Sequence, residues 1–342
     1  MNNRFSISAR PSVAATDVSK ENVTRFGTVS VWRAWWQVAN SFVPYALLWV
    51  AMVYALAVSY WLILPFAILA AGFLARIFII FHDCGHASFL QPKRANNVLG
   101  AIAGLLNLTP FQHWRWQHAL HHGTAGNLDR RGSGDIWTLT VQEYIQSTRW
   151  KRFAYRLARN PIVLFAIAPL YVFVIHHRFA ATKAPKRERQ SVARTNLALL
   201  GITLVMSLAI GLKAFLLIQL TVSAFAGALG LWLFYVQHQF EGAYWARGEK
   251  WNYTTAALEG SSYYKLPKVL QWFTGNIGFH HIHHLSPRIP NYYLQRCHEA
   301  DPFFRTIKPV TFFASLKSLT YRLWDEQRQV FVGFRYLKPA LL

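Results

Sequence analysis

Fourteen histidines occur in this sequence, and most of them fall into three short clusters. The clusters read HDCGH from position 82, HALHH from position 118 and HHIHH from position 280. Histidines spaced i, i+3 and i+4 along a helix lie on one face, one turn apart. Convergent neutral imidazoles are ligands for transition metals, so this spacing predicts a metal site. The eight candidate ligands are His82, His86, His118, His121, His122, His280, His283 and His284.

A ninth candidate ligand, His238, lies outside the clusters, two residues after the end of a long apolar stretch. Nine imidazoles exceed the needs of one ion and suffice for two ions with open coordination positions. Imidazole binds zinc, copper, iron and nickel, but zinc is redox-inert and rarely takes so many ligands. Spacing alone leaves copper open. A pair of irons is the usual means of activating dioxygen against unreactive C–H bonds, and the pattern therefore favours iron.

Other polar residues near the clusters are candidates for supporting roles. Metal-bound imidazoles usually donate their second N–H to a carboxylate or a carbonyl. Asp83 and Glu241 are close in sequence to candidate ligands and could orient those rings, although ordinary solvated carboxylates would have the same spacing. His281 is assigned no role. Acidic residues in these regions are few: Asp83, Asp129, Asp135, Glu241 and Glu259. Four histidines off the ligand spacing are interpreted as core or surface residues: His113, His176, His177 and His298.

The composition of the chain is that of a membrane protein. Charged residues make up 15% of the sequence and hydrophobic residues 53%, whereas soluble domains carry about 25% charged residues. The net charge of +22 is compatible with nucleic acid, a membrane surface or an acidic partner. The basic residues flank apolar runs instead of forming a separate domain, which argues against nucleic acid. Two cysteines exclude a disulfide framework and a Cys-based metal site.

Two long apolar stretches predict four membrane-spanning helices. The stretch 42–81 has Arg76 as its only charge, and the stretch 196–236 has only Lys213. Each is about twice the length of about 20 residues that crosses a bilayer. We therefore predict two hairpins, with spans at about 42–60 and 62–81, and at about 196–212 and 214–236. The turns are expected at 59–61, which carries interfacial aromatic residues, and at 211–213.

Two shorter apolar runs, 98–110 and 161–175, are too short to span and are interpreted as re-entrant or interfacial helices. Basic residues on both sides of the second run indicate that both its ends are cytosolic. Residues 1–30 lack the apolar core of a secretory signal and are interpreted as a flexible cytosolic tail, with an organelle transit peptide as the alternative. Residues 31–342 are expected to form a single domain.

These elements predict an all-α integral-membrane fold whose histidines meet at one face. His82 begins where the first hairpin returns, and His238 follows the return of the second. With an even number of spans, the chain termini and all the clusters lie on the same, cytosolic side. From Gln237 onward the chain is polar and rich in aromatic residues, and we predict a cytosolic helical cap that carries the metal site.

The three clusters resemble the histidine boxes of the membrane fatty-acid desaturase family, in order and in spacing. The surrounding segments WRWQHALHHGTAGNLDRRGSGDIWTLT, YVQHQFEGAYW and GNIGFHHIHHLSPRIPNYYL resemble bacterial acyl-lipid desaturases of the Δ12 (omega-6) type. The resemblance runs from about Val31 to Tyr336. It implies a di-iron centre held by the eight box histidines, with His238 matching an additional histidine between the second and third boxes. Animal acyl-CoA desaturases carry a metal-shell Asn four residues before that histidine, where this chain has Phe234.

The resemblance also implies a reaction and its partners. Dioxygen and two electrons remove two hydrogens from adjacent methylenes of a fatty-acyl lipid or acyl thioester, leaving a cis double bond and water. A bent apolar tunnel would select the bond. The sequence shows no fused haem domain and no dinucleotide fingerprint, so a ferredoxin or a cytochrome-b5-type protein is the expected electron donor. The expected location is the bacterial inner membrane, with the active site on the cytosolic side.

Two alternatives are weighed against this interpretation. A hydroxylase or ketolase acting on lipid, carotenoid or alkane would share the scaffold, the metal and the oxygen chemistry. A histidine-rich metal transporter or sensor would place its ionisable ligands inside the spans. Every histidine cluster of this chain lies at the end of a span or beyond it, which disfavours the transporter.

Overall fold

The computed structural model describes residues 20–132 and 134–340 and is predominantly helical. Its helices are α1 (Lys20–Arg25), α2 (Val31–Val58), α3 (Ile63–Gly85), α4 (Lys93–Leu106), α5 (Phe111–Thr124), α6 (Val141–Gln146), α7 (Arg149–Ala158), α8 (Ala168–Leu170), α9 (Lys186–Ile210), α10 (Leu212–His238), α11 (Tyr253–Glu259), α12 (Lys268–Phe273), α13 (His280–Leu285), α14 (Asn291–Ala300), α15 (Pro302–Arg305) and α16 (Phe312–Ser315). The short strands are β1 (Leu139–Thr140), β2 (Tyr264–Lys265), β3 (Val310–Thr311), β4 (Leu323–Asp325) and β5 (Val330–Val332).

Among residues 20–132 and 134–340, four helices, α2, α3, α9 and α10, are long and apolar enough to cross a membrane, which confirms the predicted number of membrane-length helices. The helices extend beyond the predicted spans, because α2 begins at Val31 and α9 begins at Lys186. Polar and basic residues at these ends form helical turns as readily as apolar ones. The uncharged run therefore marks the apolar part of each helix but not its ends.

The breaks within the two long stretches lie where the sequence predicts them. Ser59 is extended at the end of α2, and its hydroxyl accepts a hydrogen bond from the N–H of Trp61 at 3.3 Å. Gly211 has φ of 86° between α9 and α10, a left-handed conformation that favours glycine. A capped turn at Ser59 thus separates α2 from α3, and Gly211 separates α9 from α10. The two helices of each pair pack against one another.

Helix α3 lies at the centre of the helical core and packs against α2, α4 and α10. Small residues allow these helices to approach closely, as is usual inside membranes. Ala67, Ala70, Ala71 and Ala75 of α3 are all buried. The last turns of α3 are buried as well, up to Gly85. The first histidine cluster therefore sits at the end of the best-packed helix of the protein.

The two shorter apolar runs form separate elements. Most of the run 98–110 belongs to α4, whose 14 residues extend about 21 Å, less than the thickness of a bilayer. The run 161–175 forms α8 and the π-helical turns on either side of it. It is bent by 61° from α7, and only the two segments together reach the length and apolarity of a fifth span.

Residues after α10 fold into short helices and four short strands, and together with β1, which precedes α10, these strands form two small sheets that the sequence did not predict. Strands β1, β4 and β5 form one sheet, in which β1 and β4 are parallel, and β2 pairs with β3. Arg76 of α3 connects this region to the long helices by donating to Asn40 and to the carbonyl of Trp272, over whose ring it lies at 4.0 Å. Of the predicted tail, residues 1–19 lie outside the described residues, and Lys20–Arg25 forms α1.

The close contact between α10 and α8 gives a test of the packing. A Cβ atom on Gly227 would lie 2.7 Å from Cβ of Pro169, whereas one on Gly230 would meet nothing within 4 Å. Overpacking of this kind costs about 1–3 kcal/mol. We expect Gly227→Ala to lower the unfolding temperature of the purified protein by several degrees, and Gly230→Ala to leave it unchanged. Equal unfolding temperatures for the two variants would contradict this packing.

Candidate metal centre

Four separate elements bring the nine predicted histidines together. The first cluster ends α3, the second lies on α5, His238 ends α10 and the third cluster forms α13. The side-chain nitrogens form two groups, and within each group the ligand atoms lie within 4.8 Å of one another. The first group contains His82, His86, His118, His122 and His283. The second group contains His121, His238 and His284.

His280 extends the second group to four members. Nε2 of His280 lies 3.1 Å from Nε2 of His238, and Nε2 of His121 also lies 3.1 Å from Nε2 of His238. Within the first group, Nε2 of His122 lies 3.1 Å from Nε2 of His118 and 3.0 Å from Nε2 of His283. The structure thus divides the nine histidines into five and four, and at these contacts six of the rings face one another through Nε2.

The spacing and protonation of these rings fit bound metal. Adjacent imidazole nitrogens that bind one ion at about 2.1 Å lie about 3 Å apart, as these do. Burial first, and the neighbouring imidazoles second, hold the pKa values of His122, His283 and His284 well below their usual range. The rings are therefore neutral at pH 7, and neutral imidazole is the form that binds metal. Nε2 of His86 and of His284 are buried without a hydrogen-bond partner.

Asp83 orients His82 and anchors it to Asn291 at the start of α14. Its Oδ1 accepts a hydrogen bond from Nδ1 of His82 at 3.0 Å, which directs the other ring nitrogen into the first group. Its Oδ2 accepts from the backbone N–H of Asn291 at 2.6 Å and from the side-chain amide at 2.8 Å. Both oxygens of this buried carboxylate are therefore used, and α3 is connected to α14. This is the contact that the sequence predicted for Asp83.

Asp135 makes the corresponding contact with His121, and the sequence analysis did not single it out. Its Oδ1 accepts from Nδ1 of His121 at 2.7 Å, and its Oδ2 accepts from the N–H of Gly132 at 3.1 Å. Asp135 follows His121 by fourteen residues, so proximity in sequence gave no indication. The sequence signal for this contact is the pair of glycines before Asp135, Gly132 and Gly134, which indicate a turn. In the structure these glycines have φ of 107° and 75°.

The expected role of Glu241 is wrong in this structure. Its carboxylate is exposed and pairs with Nζ of Lys317 at 2.8 Å. Helix α10 ends at His238, and the following turn, with φ of 80° at Gly242, carries Glu241 to the surface. The carbonyl of Gly260 instead accepts from Nδ1 of His238 at 3.3 Å.

The remaining histidines have other environments. His113 is buried, and its Nε2 accepts a hydrogen bond from the N–H of Ala181 at 3.1 Å. His177 contacts the hydroxyl of Thr109 at 3.2 Å. His281 shares α13 with the third cluster, but its ring lies against Tyr263, His298 and Phe304. Burial lowers the pKa of His281 to about 3, so this ring too is neutral.

Phe234 lies beside the second group. Its ring centre is 5.2 Å from that of His121 and 5.3 Å from that of His238. These three residues, with Asp135 and Gln239, help to line a cavity of about 10 Å³, close to the volume needed by one water molecule. A phenyl ring offers no ligand atom, so Phe234 contributes only an apolar wall to this cavity.

Comparison with known proteins agrees with this geometry. A family model described as fatty acid desaturase matches residues 59–312, a range that includes all nine histidines. The chain is 49% identical over 302 residues to a fatty acid desaturase of Bacillus subtilis (strain 168), covering 88% of this chain and 86% of that protein. It is 28% identical over 251 residues to an sn-1 oleoyl-lipid 12-desaturase of Picosynechococcus sp., covering 71% of this chain and 70% of that one.

An omega-6 fatty acid desaturase of Spinacia oleracea chloroplasts is also 28% identical over 280 residues, which cover 78% of this chain and 59% of that protein. The family model and the Bacillus relative each extend over most of this sequence, and both include the residues around the histidine groups. The chain therefore belongs to the fatty acid desaturase family and is an oxidoreductase.

Proposed function

We propose that this protein introduces a cis double bond into a fatty-acyl chain, using dioxygen and two electrons at a pair of irons held by nine histidines. The observation that carries the proposal is the division of the imidazoles into groups of five and four, in which Nε2 atoms of neighbouring rings lie 3.0–3.1 Å apart. Bound there, iron would supply the dioxygen chemistry that removes two hydrogens from neighbouring methylenes.

The protein's own contribution would be to position the ligands and to keep them neutral. Asp83, Asp135 and the carbonyl of Gly260 each accept a hydrogen bond from a histidine Nδ1, which fixes the tautomer and leaves Nε2 free to bind metal. Burial lowers the pKa values of His122, His283 and His284, so protons do not compete with metal for these rings at pH 7. A carboxylate oriented in this way also raises the basicity of the imidazole that it contacts, so the metal is held more firmly.

We assign the double bond to the Δ12 or omega-6 position. The support is the resemblance of the segments around the boxes to bacterial Δ12-type enzymes, and the names of two relatives, an sn-1 oleoyl-lipid 12-desaturase and an omega-6 desaturase. The substrate would be a fatty-acyl lipid or an acyl thioester. A hydroxylase or ketolase would leave oxygen in the product, so analysis of the product distinguishes these activities.

We further propose that residues 31–342 form one domain in the bacterial inner membrane, with both hairpins returning to the cytosolic side. The bond from the N–H of Ser30 to the hydroxyl of Tyr292, at 3.0 Å, supports a single unit, because it joins the start of α2 to the cap region. The short turns at Ser59 and Gly211 support hairpins. Reversing either hairpin would separate the histidines of α3 and α10, which lie at the far ends from these turns.

Helix α7 supports an interfacial position for the segment before α8. Trp150, Phe153 and Leu157 form an exposed apolar stripe, whereas Tyr155 on the other side is buried. Basic residues border the stripe: Arg149, Lys151, Arg152 and Arg156. This combination is typical of a helix that lies in the headgroup region on the positively charged, cytosolic side. The basic surface would also attract an acidic electron donor, for which we propose a ferredoxin or a cytochrome-b5-type protein.

Purified protein should contain about two irons per chain, because five and four imidazoles form two separate groups. Metal analysis of active protein tests this expectation. Stoichiometric zinc or copper in active protein, without iron, would exclude the proposed mechanism.

His238→Ala should abolish product formation, lowering it by at least about 100-fold, and should reduce bound iron, because it removes a member of the smaller group. His113→Ala is the matched control: it removes another buried histidine, one whose Nε2 binds the N–H of Ala181 and not the cluster. Fatty-acid methyl esters from cells expressing the variants at equal levels give the measurement. Near-normal unsaturation with His238→Ala would remove this residue from the site.

The topology predicts that a cysteine placed at Arg187 is labelled from the cytosolic side and that one placed at Lys213 is labelled from outside. The two native cysteines are buried and should give little background. Asn2 and Leu342, which lie outside the described residues, should label with Arg187. Labelling of position 187 from outside would mean that the segment 161–175 crosses the membrane.

A further inference from the structure

Arg159, immediately after α7, is a fully buried cation without an anionic partner. Its side chain is 1% exposed, and no carboxylate lies within ion-pair distance in the ranges 20–132 and 134–340. Its acceptors are neutral: one guanidinium nitrogen lies 2.6 Å from Oε1 of Gln239, 3.2 Å from the hydroxyl of Tyr235 and 2.9 Å from the carbonyl of Tyr321. The other terminal nitrogen reaches the carbonyl of Trp137 at 3.5 Å.

These acceptors belong to three segments, of which one carries His238 and another leads to the carboxylate that contacts His121. Tyr235 and Gln239 flank His238 at the end of α10, and the N–H of Gln239 donates to the carbonyl of Tyr235 at 2.8 Å. Tyr321 belongs to the C-terminal region, where its carbonyl also accepts from the Tyr235 hydroxyl at 2.8 Å. Arg159 thus holds the last turn of α10, whereas the carbonyl of Gly260 holds the His238 ring through Nδ1.

The third segment leads to His121. The amide of Gln239 donates to the hydroxyl of Thr138 at 2.9 Å. Thr138 and Trp137 follow Asp135, whose carboxylate accepts from His121. Two of the four histidines in this group, His238 and His121, are therefore held by segments that meet at one guanidinium. In the five-histidine group, His82 is held by Asp83 and Asn291, which Arg159 does not contact.

Burying a cation among neutral acceptors is costly, and apolar residues would fill the same space more cheaply. The guanidinium does provide several donors in a rigid planar arrangement, which lysine cannot provide. This arrangement can hold several acceptors from different segments in fixed positions relative to one another. A demand for position, more than for stability, explains the presence of arginine at this site.

We propose that Arg159 is a positioning residue for the four-histidine group, acting through Gln239 on His238 and through the segment 135–138 on His121. It touches no metal ligand itself. The proposal rests on the proposed function, because it assumes that the two groups hold separate ions. It implies that loss of Arg159 weakens one ion and not the other.

The test is anaerobic titration of metal-free protein with ferrous iron, together with the unfolding temperature of the metal-free form. For Arg159→Met we expect one equivalent to bind as in the unsubstituted protein and the second to bind about 10–100-fold more weakly. Arg159→Lys should rescue little of this loss, since an ammonium cannot replace the planar donors. Arg178→Met is the control: Arg178 also joins separate elements, α9 through Asn196 at 2.8 Å and the turn after α4 through the carbonyl of Leu108, but it bonds to none of the nine candidate ligands. Both equivalents should bind normally to it.

Thr138→Val gives a second route if Arg159→Met does not fold. It removes only the hydroxyl that Gln239 contacts, and we expect a selective but smaller weakening of the second equivalent, of several-fold. Equal weakening of both equivalents in Arg159→Met and Thr138→Val, or no weakening in either, would overturn the positioning role. Failure of the unsubstituted protein to bind iron would instead overturn the proposed function.

Discussion

The structure depends on holding nine imidazoles close together in a place from which water is largely excluded. Nitrogen lone pairs about 3 Å apart repel unless a cation lies between them, and protonated rings at this distance would repel more strongly still. Local helix geometry supplies the spacing within each cluster. Bringing the clusters together requires that α3, α5, α10 and α13 be fixed relative to one another. The contacts of Asp83, Asp135 and Arg159 contribute to this for the first three helices, and α13 packs against α11 and α14.

These anchors differ between the two groups in a way that follows from chain connectivity. On the α3 side, one carboxylate joins α3 to α14, since Asp83 accepts hydrogen bonds from the backbone N–H and from the side-chain amide of Asn291. On the α10 side, a loop, a helix end and the C-terminal region converge, and no carboxylate in the described part of the chain joins all three. A guanidinium with acceptors in each segment takes that place. The parallel pairing of β1 with β4 holds the same loop and C-terminal region together.

The sequence predicts well those features that depend on local repetition. The histidine spacing singled out eight residues, and the end of the second apolar stretch singled out His238, and the structure brings all nine together. Uncharged length predicted the four membrane-length helices and their turns. Features that depend on contacts between distant segments could not be predicted in this way. Asp135 reaches His121 through a glycine turn, Gly260 reaches His238 with a backbone carbonyl, and Glu241 turns outward after α10. The two small sheets pair strands of two or three residues, too short to leave an alternating pattern.

The position of the third cluster has a consequence for biosynthesis. Residues 280–284 supply members of both histidine groups, yet they lie about two hundred residues after His82 and in the last fifth of the chain. A ribosome releases α2, α3, the second cluster, α9 and α10 before α13 exists. Until then, neither group has its full set of nitrogens, and the imidazoles of α3 and α5 remain hydrated and open to protons. Completion of the centre is therefore a late event in synthesis. A chain that ends before α13 would lack ligand nitrogens of both groups.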